Sequence, residues 1–137
     1  MKKFLYVSLI ALSIVALDQI TKHLIASSLK PFDSIEIFPF LHLVNVKNKG
    51  AAFGMLKNVG SGFFIGVSII AVILVIWLLT RKKEDHFGLS LILGGAVGNL
   101  IDRIFLGHVV DFIDFSIGRF HWPAFNVADS ALTIGIT

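Results

Sequence analysis

Polar side chains interrupt the apolar stretches of this sequence at a small set of positions. They are Asp18, Lys22, Asn99, Arg103, Asp111, Asn126 and Asp129. An ionisable side chain is costly in hydrocarbon, so within a membrane it marks a functional site or a paired interior. Carboxylates can exchange protons, and amides can hold a peptide or a carboxylate by hydrogen bonds. These residue types therefore offer acid–base chemistry, provided that the surrounding elements bring them together.

Helical spacing places several of these residues in pairs on common faces. Residues three or four positions apart in a helix are neighbours on its surface. The pairs are Asp18 with Lys22, Asn99 with Arg103, and Asn126 with Asp129. Each pair also has a simpler interpretation. Asp18 with Lys22 is often a plain ion pair at a helix end. Asn99 with Arg103 can form hydrogen bonds between helices.

The composition is that of an integral membrane protein. The 137 residues are 55% hydrophobic and 15% charged, whereas a soluble domain is about 45–50% apolar and about 25% charged. The net charge of +3 and the scattered basic residues argue against nucleic-acid binding. The chain has no Cys, which excludes disulfides, thiol nucleophiles and Cys-ligated metals. The pairing of His108 with Asp111 is too small for a metal site, so we expect no metal and no cofactor.

Four apolar segments predict an all-α membrane protein with four transmembrane helices in a single domain over 1–137. The first three segments, about 4–28, 61–80 and 87–106, have the roughly 20 residues that a spanning helix needs. The last, 126–137, is too short to cross about 30 Å of hydrocarbon. We therefore expect the fourth helix to be truncated here.

Charge and loop composition predict an orientation. Basic residues at Lys2–Lys3 and Arg81–Lys83 favour a cytoplasmic N-terminus, although lysines in the loop of 29–60 weaken this argument. The loops 29–60 and 107–125 would then face outward. Loose alternation over 35–46 predicts short strands. Aromatic residues in the second outer loop suit a belt at the membrane surface, and they are Phe112, Phe115, Phe120, Trp122 and Phe125.

The polar residues are expected to share one depth. At about 1.5 Å per residue, Asp18 lies roughly 21 Å into the first helix, and Asn99 lies roughly 18 Å into the third. Asp111 follows the outer end of the third helix, and Asp129 opens the fourth. We therefore predict one polar site toward the outer leaflet.

Other residues carry simpler expectations. Asp102 is expected to pair with Arg103 or to reach outward to water, and Asp33 and Asp114 are expected to be solvated loop carboxylates. The spacing of Gly94, Gly95 and Gly98 predicts close helix packing. The glycines at 50, 54, 60 and 62 suit either a closing lid or ordinary turns.

Five motifs in order resemble those of the lipoprotein signal peptidase family, also called signal peptidase II. They are LDQITK (17–22), NKGAAFG (48–54), GGAVGNLIDR (94–103), VVDFIDF (109–115) and FNVADS (125–130). The resemblance covers nearly the whole chain. It implies an aspartic endopeptidase of the bacterial inner membrane. We expect the protein to act as a monomer without cofactor. Its substrates would be prolipoproteins, cut just before a Cys that carries a diacylglyceryl group.

The resemblance also implies residue roles. Asp111 and Asp129 match the catalytic pair of the family. Residues that match its substrate-binding or supporting positions are Asp18, Lys22, Asn48, Gly50, Asn99, Arg103 and Asn126. The family further places a small extramembrane β-structure over the site.

Two carboxylates that share one proton suit such a reaction. The anionic carboxylate takes a proton from water, and the protonated one donates to the carbonyl oxygen of the peptide. A different class remains open, namely a small four-helix transporter in which Asp18 would couple to protons; such a protein would hold its charges near the bilayer midplane. A structural assembly partner is a third possibility, but it leaves Asp111 and Asp129 without a purpose.

Overall fold

A computed structural model describes residues 2–50, 59–81 and 85–137. Within these ranges the chain forms four helices: α1 (Lys2–Ser28), α2 (Ser61–Leu79), α3 (His86–Leu106) and α4 (Val127–Ile136). Among the described helices, α1, α2 and α3 have the length and hydropathy of membrane spans. The predicted helical membrane architecture is thus confirmed at this level. Residues 51–54 of the NKGAAFG motif, which include the loop glycine Gly54, and the basic residues Lys82 and Lys83 lie outside the described residues.

A small antiparallel sheet accompanies the helices. Its strands are β1 (Ser34–Phe38), β2 (Leu41–Asn48), β3 (Val109–Ile117) and β4 (Phe120–His121), and their order in space is the same as in sequence. The β1–β2 hairpin confirms the strands that alternation predicted. β3 was not predicted, because its first four residues are all buried and show no alternation.

α3 lies at the centre of the helices. It runs parallel to α1, because Gly94 lies beside Ile14 and, four residues later in both helices, Gly98 lies beside Asp18. A Cβ atom added at Gly98 would lie 2.6 Å from Oδ2 of Asp18, so only glycine lets the two helices approach this closely. The predicted role of these glycines in close packing is confirmed.

α4 packs antiparallel against α3. A Cβ atom at Gly95 would lie 2.5 Å from the carbonyl oxygen of Ala128. Toward the N-terminal end of α3, Gly88 lies beside Gly135 of α4. α2 covers another side of α3, and Val75 and Leu79 there join the apolar core near the N-terminal end of α1. The apolar core and the polar residues therefore occupy different ends of the helices.

The chain turns sharply between α3 and β3. Gly107 ends α3 in the left-handed conformation with φ of 72°, and its N–H donates to the carbonyl of Arg103. A glycine adopts this conformation without steric cost. The turn brings β3, which carries Asp111, back beside the C-terminal end of α3.

The aromatic residues of the second loop divide between two environments. Phe120 and Trp122 are 65% and 60% exposed, as a surface belt requires. Phe112 is 6% exposed, so the prediction that it belongs to that belt is wrong. It lies in the first part of β3, where four consecutive residues, Val109 to Phe112, are buried.

Candidate active site

The first turn of α4 holds Asp129 by a capping box. Oδ1 of Asn126 accepts a hydrogen bond from the backbone N–H of Asp129 at 2.9 Å. The backbone N–H of Asn126 in turn donates to Oδ2 of Asp129 at 3.2 Å. These reciprocal bonds satisfy N–H groups that a helix start leaves without partners, and they fix the Asp129 side chain.

Asn126 bonds to both candidate carboxylates, through its backbone N–H to Asp129 and through its side-chain amide to Asp111. Because its oxygen is occupied as the helix cap, its nitrogen is directed toward β3 and donates to Oδ1 of Asp111 at 2.8 Å. The same nitrogen lies 3.2 Å from Oδ1 of Asn99 and 3.3 Å from the carbonyl of Val110. Asn126 is fully buried. One residue thus contacts both Asp111 and Asp129.

Two further amides complete the contacts of the carboxylates. Asn99 on α3 donates to Oδ1 of Asp129 at 2.8 Å. Asn48 at the end of β2 donates to Oδ2 of Asp111 at 3.0 Å. The N–H of Gly50 donates to the oxygen of Asn48 at 3.0 Å and so orients this amide.

The environment of Asp111 favours its protonated form. Burial and, second, the nearby charge of Asp129 raise the pKa of Asp111 to about 7. The hydrogen bonds from Asn48 and Asn126 and the charge of Lys22 act in the opposite direction on this pKa. Near neutral pH the site therefore retains a proton that an exposed Asp would have lost.

A buried ion-pair network lies behind the carboxylates. Nζ of Lys22 is 2.7 Å from Oδ2 of Asp18 and 3.2 Å from Oδ2 of Asp102. It also donates to the oxygen of Asn99 at 3.0 Å. Asp18, Lys22 and Asp102 are all at most 3% exposed. The predicted contact of Asp18 with Lys22 is confirmed.

Two expectations for carboxylates are wrong. Asp102 neither pairs with Arg103 nor reaches outward, because the helix turns it toward α1 and Lys22. Asp114 is buried in β3 and lies 2.9 Å from Nδ1 of His121, rather than in solvent. Asp33 is exposed and accepts the N–H of Lys30, as expected of a loop carboxylate.

Arg103 lies apart from these hydrogen bonds. Its guanidinium donates to Ser68 of α2 at 3.3 Å and lies 5.9 Å from the ring centroid of Phe64. The side chain is half-buried. Of the predicted site residues, Arg103 is therefore the one that the structure places against α2, while the others meet at Asp111 and Asp129 or directly behind them.

Gln19 and Asp102 belong to the network, yet sequence reasoning did not select them. Gln19 donates to Oδ1 of Asp102 at 2.9 Å and to the carbonyl of Gly98 at 3.1 Å. For Asp102 a signal existed, since it is an ionisable residue within a predicted span. Gln19 is uncharged, and its signals were its position beside Asp18 and its place within the LDQITK motif.

The assembled groups suit acid–base hydrolysis. Through residues 2–50, 59–81 and 85–137, no three His, Asp or Glu side chains are grouped as metal ligands. Asp111 and Asp129 instead form a carboxylate pair held by amides, at the end of helices with the length of membrane spans. This arrangement is typical of the class of membrane-embedded aspartic peptidases.

Comparisons with known proteins agree with this class. The sequence model described as signal peptidase (SPase) II matches residues 10–137. A lipoprotein signal peptidase of Thermodesulfovibrio yellowstonii is 48% identical over 90% of this chain and 84% of its own length. One from Syntrophotalea carbinolica is 46% identical over 98% of this chain and 88% of its own.

Solved structures show the same likeness. Two structures described as bacterial membrane enzymes superpose with TM-scores of 0.87 and 0.84, at 40% and 41% identity. Each comparison covers 96% of this chain, with 82% and 87% of the other chains. The chain belongs to the signal peptidase II family. It is a multi-pass membrane peptidase of the aspartic type that removes signal peptides from prolipoproteins, and this membership favours peptidase over transport function.

Proposed function

We propose that Asp111 and Asp129 are the catalytic pair of this peptidase. The observation that carries the proposal is the position of Asn126, which donates hydrogen bonds to both carboxylates. Two carboxylates held beside one another resist double ionisation, so they share one proton. In such a pair one member activates water and the other protonates the substrate carbonyl.

Asp111 is the acid and Asp129 is the base in this proposal. The pKa of Asp111, raised to about 7 chiefly by burial, leaves a substantial fraction of it protonated near neutral pH. Asp129 occupies the first turn of α4, where the partial positive charge of a helix N-terminus stabilises an anion. Asn99 and the N–H of Asn126 supply two further donors to Asp129. Water enters between the carboxylates, and Asp129 takes its proton as the oxygen attacks.

The remaining predicted residues divide into two roles. Asp18, Lys22, Asn99 and Asn126 support the pair, since each is buried and bonded to it or to its neighbours. Asn48, Gly50 and Arg103 are half-buried, and we propose that they bind the substrate. A guanidinium can donate several hydrogen bonds to peptide carbonyls. This fits Arg103 of α3, whose guanidinium lies against Ser68 of α2.

We propose that an apolar groove, whose lining includes Phe125 next to Asn126 in the sequence, sets the position of the cut. The groove has a volume of about 460 Å³ and is lined by Phe40, Phe115, Ile117, Phe120, Trp122 and Phe125. Phe125 directly precedes Asn126, and its carbonyl accepts the N–H groups of Phe112 and Ile113. An apolar surface so near the carboxylates suits a substrate whose Cys next to the scissile bond carries a diacylglyceryl group, with the cut just before that Cys.

The same arrangement supports an orientation in the bacterial inner membrane. Nζ of Lys3 contacts the carbonyl of Arg81 at 3.5 Å, so these basic residues share the helix end opposite the sheet. By the positive-inside rule this end is cytoplasmic, and the sheet and the carboxylate pair face the outer leaflet. We further propose that α4 lies in the membrane antiparallel to α3 and that the enzyme acts as a monomer.

The test is cleavage of a purified diacylglyceryl-modified prolipoprotein in detergent, followed by gel shift. Asp111→Asn and Asp129→Asn are each expected to lower the rate by about 10³-fold or more, because each removes a proton-transfer group. Asp33→Asn is the matched control, since Asp33 is an exposed carboxylate away from the site. A chelator is expected to have no effect. Full activity in either site variant, or loss of activity with chelator, contradicts the proposal.

A further inference from the structure

Each of the two catalytic carboxylates follows a residue whose backbone is held by a different buried carboxylate. The N–H of Val110, just before Asp111, donates to Oδ2 of Asp102 at 2.9 Å. The N–H of Ala128, just before Asp129, donates to Oδ1 of Asp18 at 2.9 Å. The first contact ties β3 to α3, and the second ties α4 to α1.

The two holding carboxylates are themselves joined by two side chains of α1. Lys22 lies 2.7 Å from Asp18 and 3.2 Å from Asp102. Gln19 donates to Oδ1 of Asp102 at 2.9 Å and lies 3.3 Å from Oδ2 of Asp18. A continuous chain of hydrogen bonds therefore leads from the backbone beside Asp111 to the backbone beside Asp129.

We propose that Asp102 and Gln19 are positioning residues that, with Asp18 and Lys22, set the separation of Asp111 and Asp129. The inference rests on the proposed catalytic pair. The pair lies on two different elements, the strand β3 and the helix α4, which are separated along the chain by β4. A rigid connection between their backbones is one means of keeping the carboxylates at a distance at which they share a proton.

Burial makes this connection rigid. Asp18 and Asp102 are 0% and 2% exposed, and a buried carboxylate without partners is strongly destabilising. Every carboxylate oxygen of Asp18 and Asp102 accepts at least one hydrogen bond or ion pair from the groups above. Neither carboxylate can move without leaving a donor unsatisfied, so the two backbone segments are held in place.

The role of Asp102 is separable from the charge that it carries. Asp102→Asn keeps an oxygen that can accept the N–H of Val110, whereas Asp102→Leu removes that acceptor. If Asp102 positions the pair, Asp102→Leu lowers kcat by about 100-fold, the typical effect of a misplacement of about 1 Å. KM is expected to stay within about threefold, because binding of substrate is not altered. Asp102→Asn is expected to recover most of the lost kcat.

The experiment measures kcat and KM on the diacylglyceryl-modified prolipoprotein for both Asp102 variants and for Gln19→Leu. Thermal unfolding in detergent identifies a variant that does not fold, and Asp33→Leu serves as the surface control. Gln19→Leu leaves the contacts of Lys22 in place and is expected to lower kcat by about 10-fold, the effect of one lost hydrogen bond to a charged group.

The outcomes separate this inference from the proposed catalytic pair. Unchanged kcat in Asp102→Leu overturns the inference, as does an equal loss in Asp102→Asn and Asp102→Leu. If Asp102→Leu does not fold, unchanged kcat in Gln19→Leu overturns it instead. Asp111→Asn and Asp129→Asn are assayed in parallel. Activity in those two variants overturns the catalytic pair itself, whatever the Asp102 variants do.

Discussion

Asn99 donates a hydrogen bond of 2.8 Å to Asp129, and the direction of this bond is set from behind. The oxygen of Asn99 accepts from Nζ of Lys22 at 3.0 Å and from the amide of Asn126 at 3.2 Å. A reversed amide would place its NH₂ group against the ammonium of Lys22, which has donors alone. Lys22 therefore acts on Asp129 through the orientation of Asn99, without touching it.

This orientation predicts the effect of replacing Asn99. Asn99→Ala removes a donor to a charged carboxylate, and such a bond contributes about 1.5–3 kcal/mol. We expect kcat to fall by about 10- to 100-fold, measured by prolipoprotein cleavage. Asn45→Ala is the control, because its amide bonds the carbonyl of Leu29 away from the site. A loss of similar size in both variants would point to general loosening of the fold.

The pH dependence of cleavage follows from the protonated state of Asp111. Since burial raises its pKa to about 7, the acid is lost as pH rises through that value, and kcat/KM should fall there. The hydrogen bond from Asn48 lowers this pKa. Asn48→Ala should therefore move the falling limb to higher pH, and Lys47→Ala, an exposed neighbour, should leave it in place. A limb that stays unchanged in Asn48→Ala would contradict the assignment of Asp111 as the acid.

Stability should depend on pH through the same residue. An Asp with a raised pKa binds its proton in the folded protein at pH values where the unfolded chain has lost it. The folded state therefore binds more protons between about pH 4 and about pH 7, and the free energy of unfolding falls as pH rises through this window. Asp111→Asn removes this contribution, so its thermal unfolding should vary less between pH 5 and pH 8. Equal slopes in the two proteins would exclude Asp111 as the source.

Local patterns predicted much of the architecture. Helices appear as long apolar runs, and contacts within one helix, such as Asp18 with Lys22, follow from spacing of four residues. β3 was not predicted from the sequence, because a strand buried on both faces lacks the alternation of apolar and polar residues that indicates a strand. The pairing of Asp102 with Lys22 was not predicted, and the reason is geometric. Successive residues in a helix point about 100° apart, so Asp102 faces α1 while Arg103 faces α2.

Helix packing next to the site is directly testable at Gly98. A Cβ atom there would lie 2.6 Å from Oδ2 of Asp18 and 3.2 Å from its Cγ, and Asp18 is fully buried with no space to move. Gly98→Ala is therefore expected to destabilise the protein by about 1–3 kcal/mol, as overpacked helix contacts do. Cleavage should also weaken, because Asp18 holds the N–H of Ala128 beside Asp129.

The matched control is Gly66→Ala in α2, where no atom lies within 4 Å of an added Cβ. Alanine is favoured over glycine in a helix by about 1 kcal/mol, so this variant should be as stable as the original protein or slightly more so. Thermal unfolding in detergent compares the two variants. If Gly98→Ala unfolds at the same temperature as Gly66→Ala, α1 and α3 can separate without cost. The close approach of Asp18 to α3 would then not be needed to hold the site.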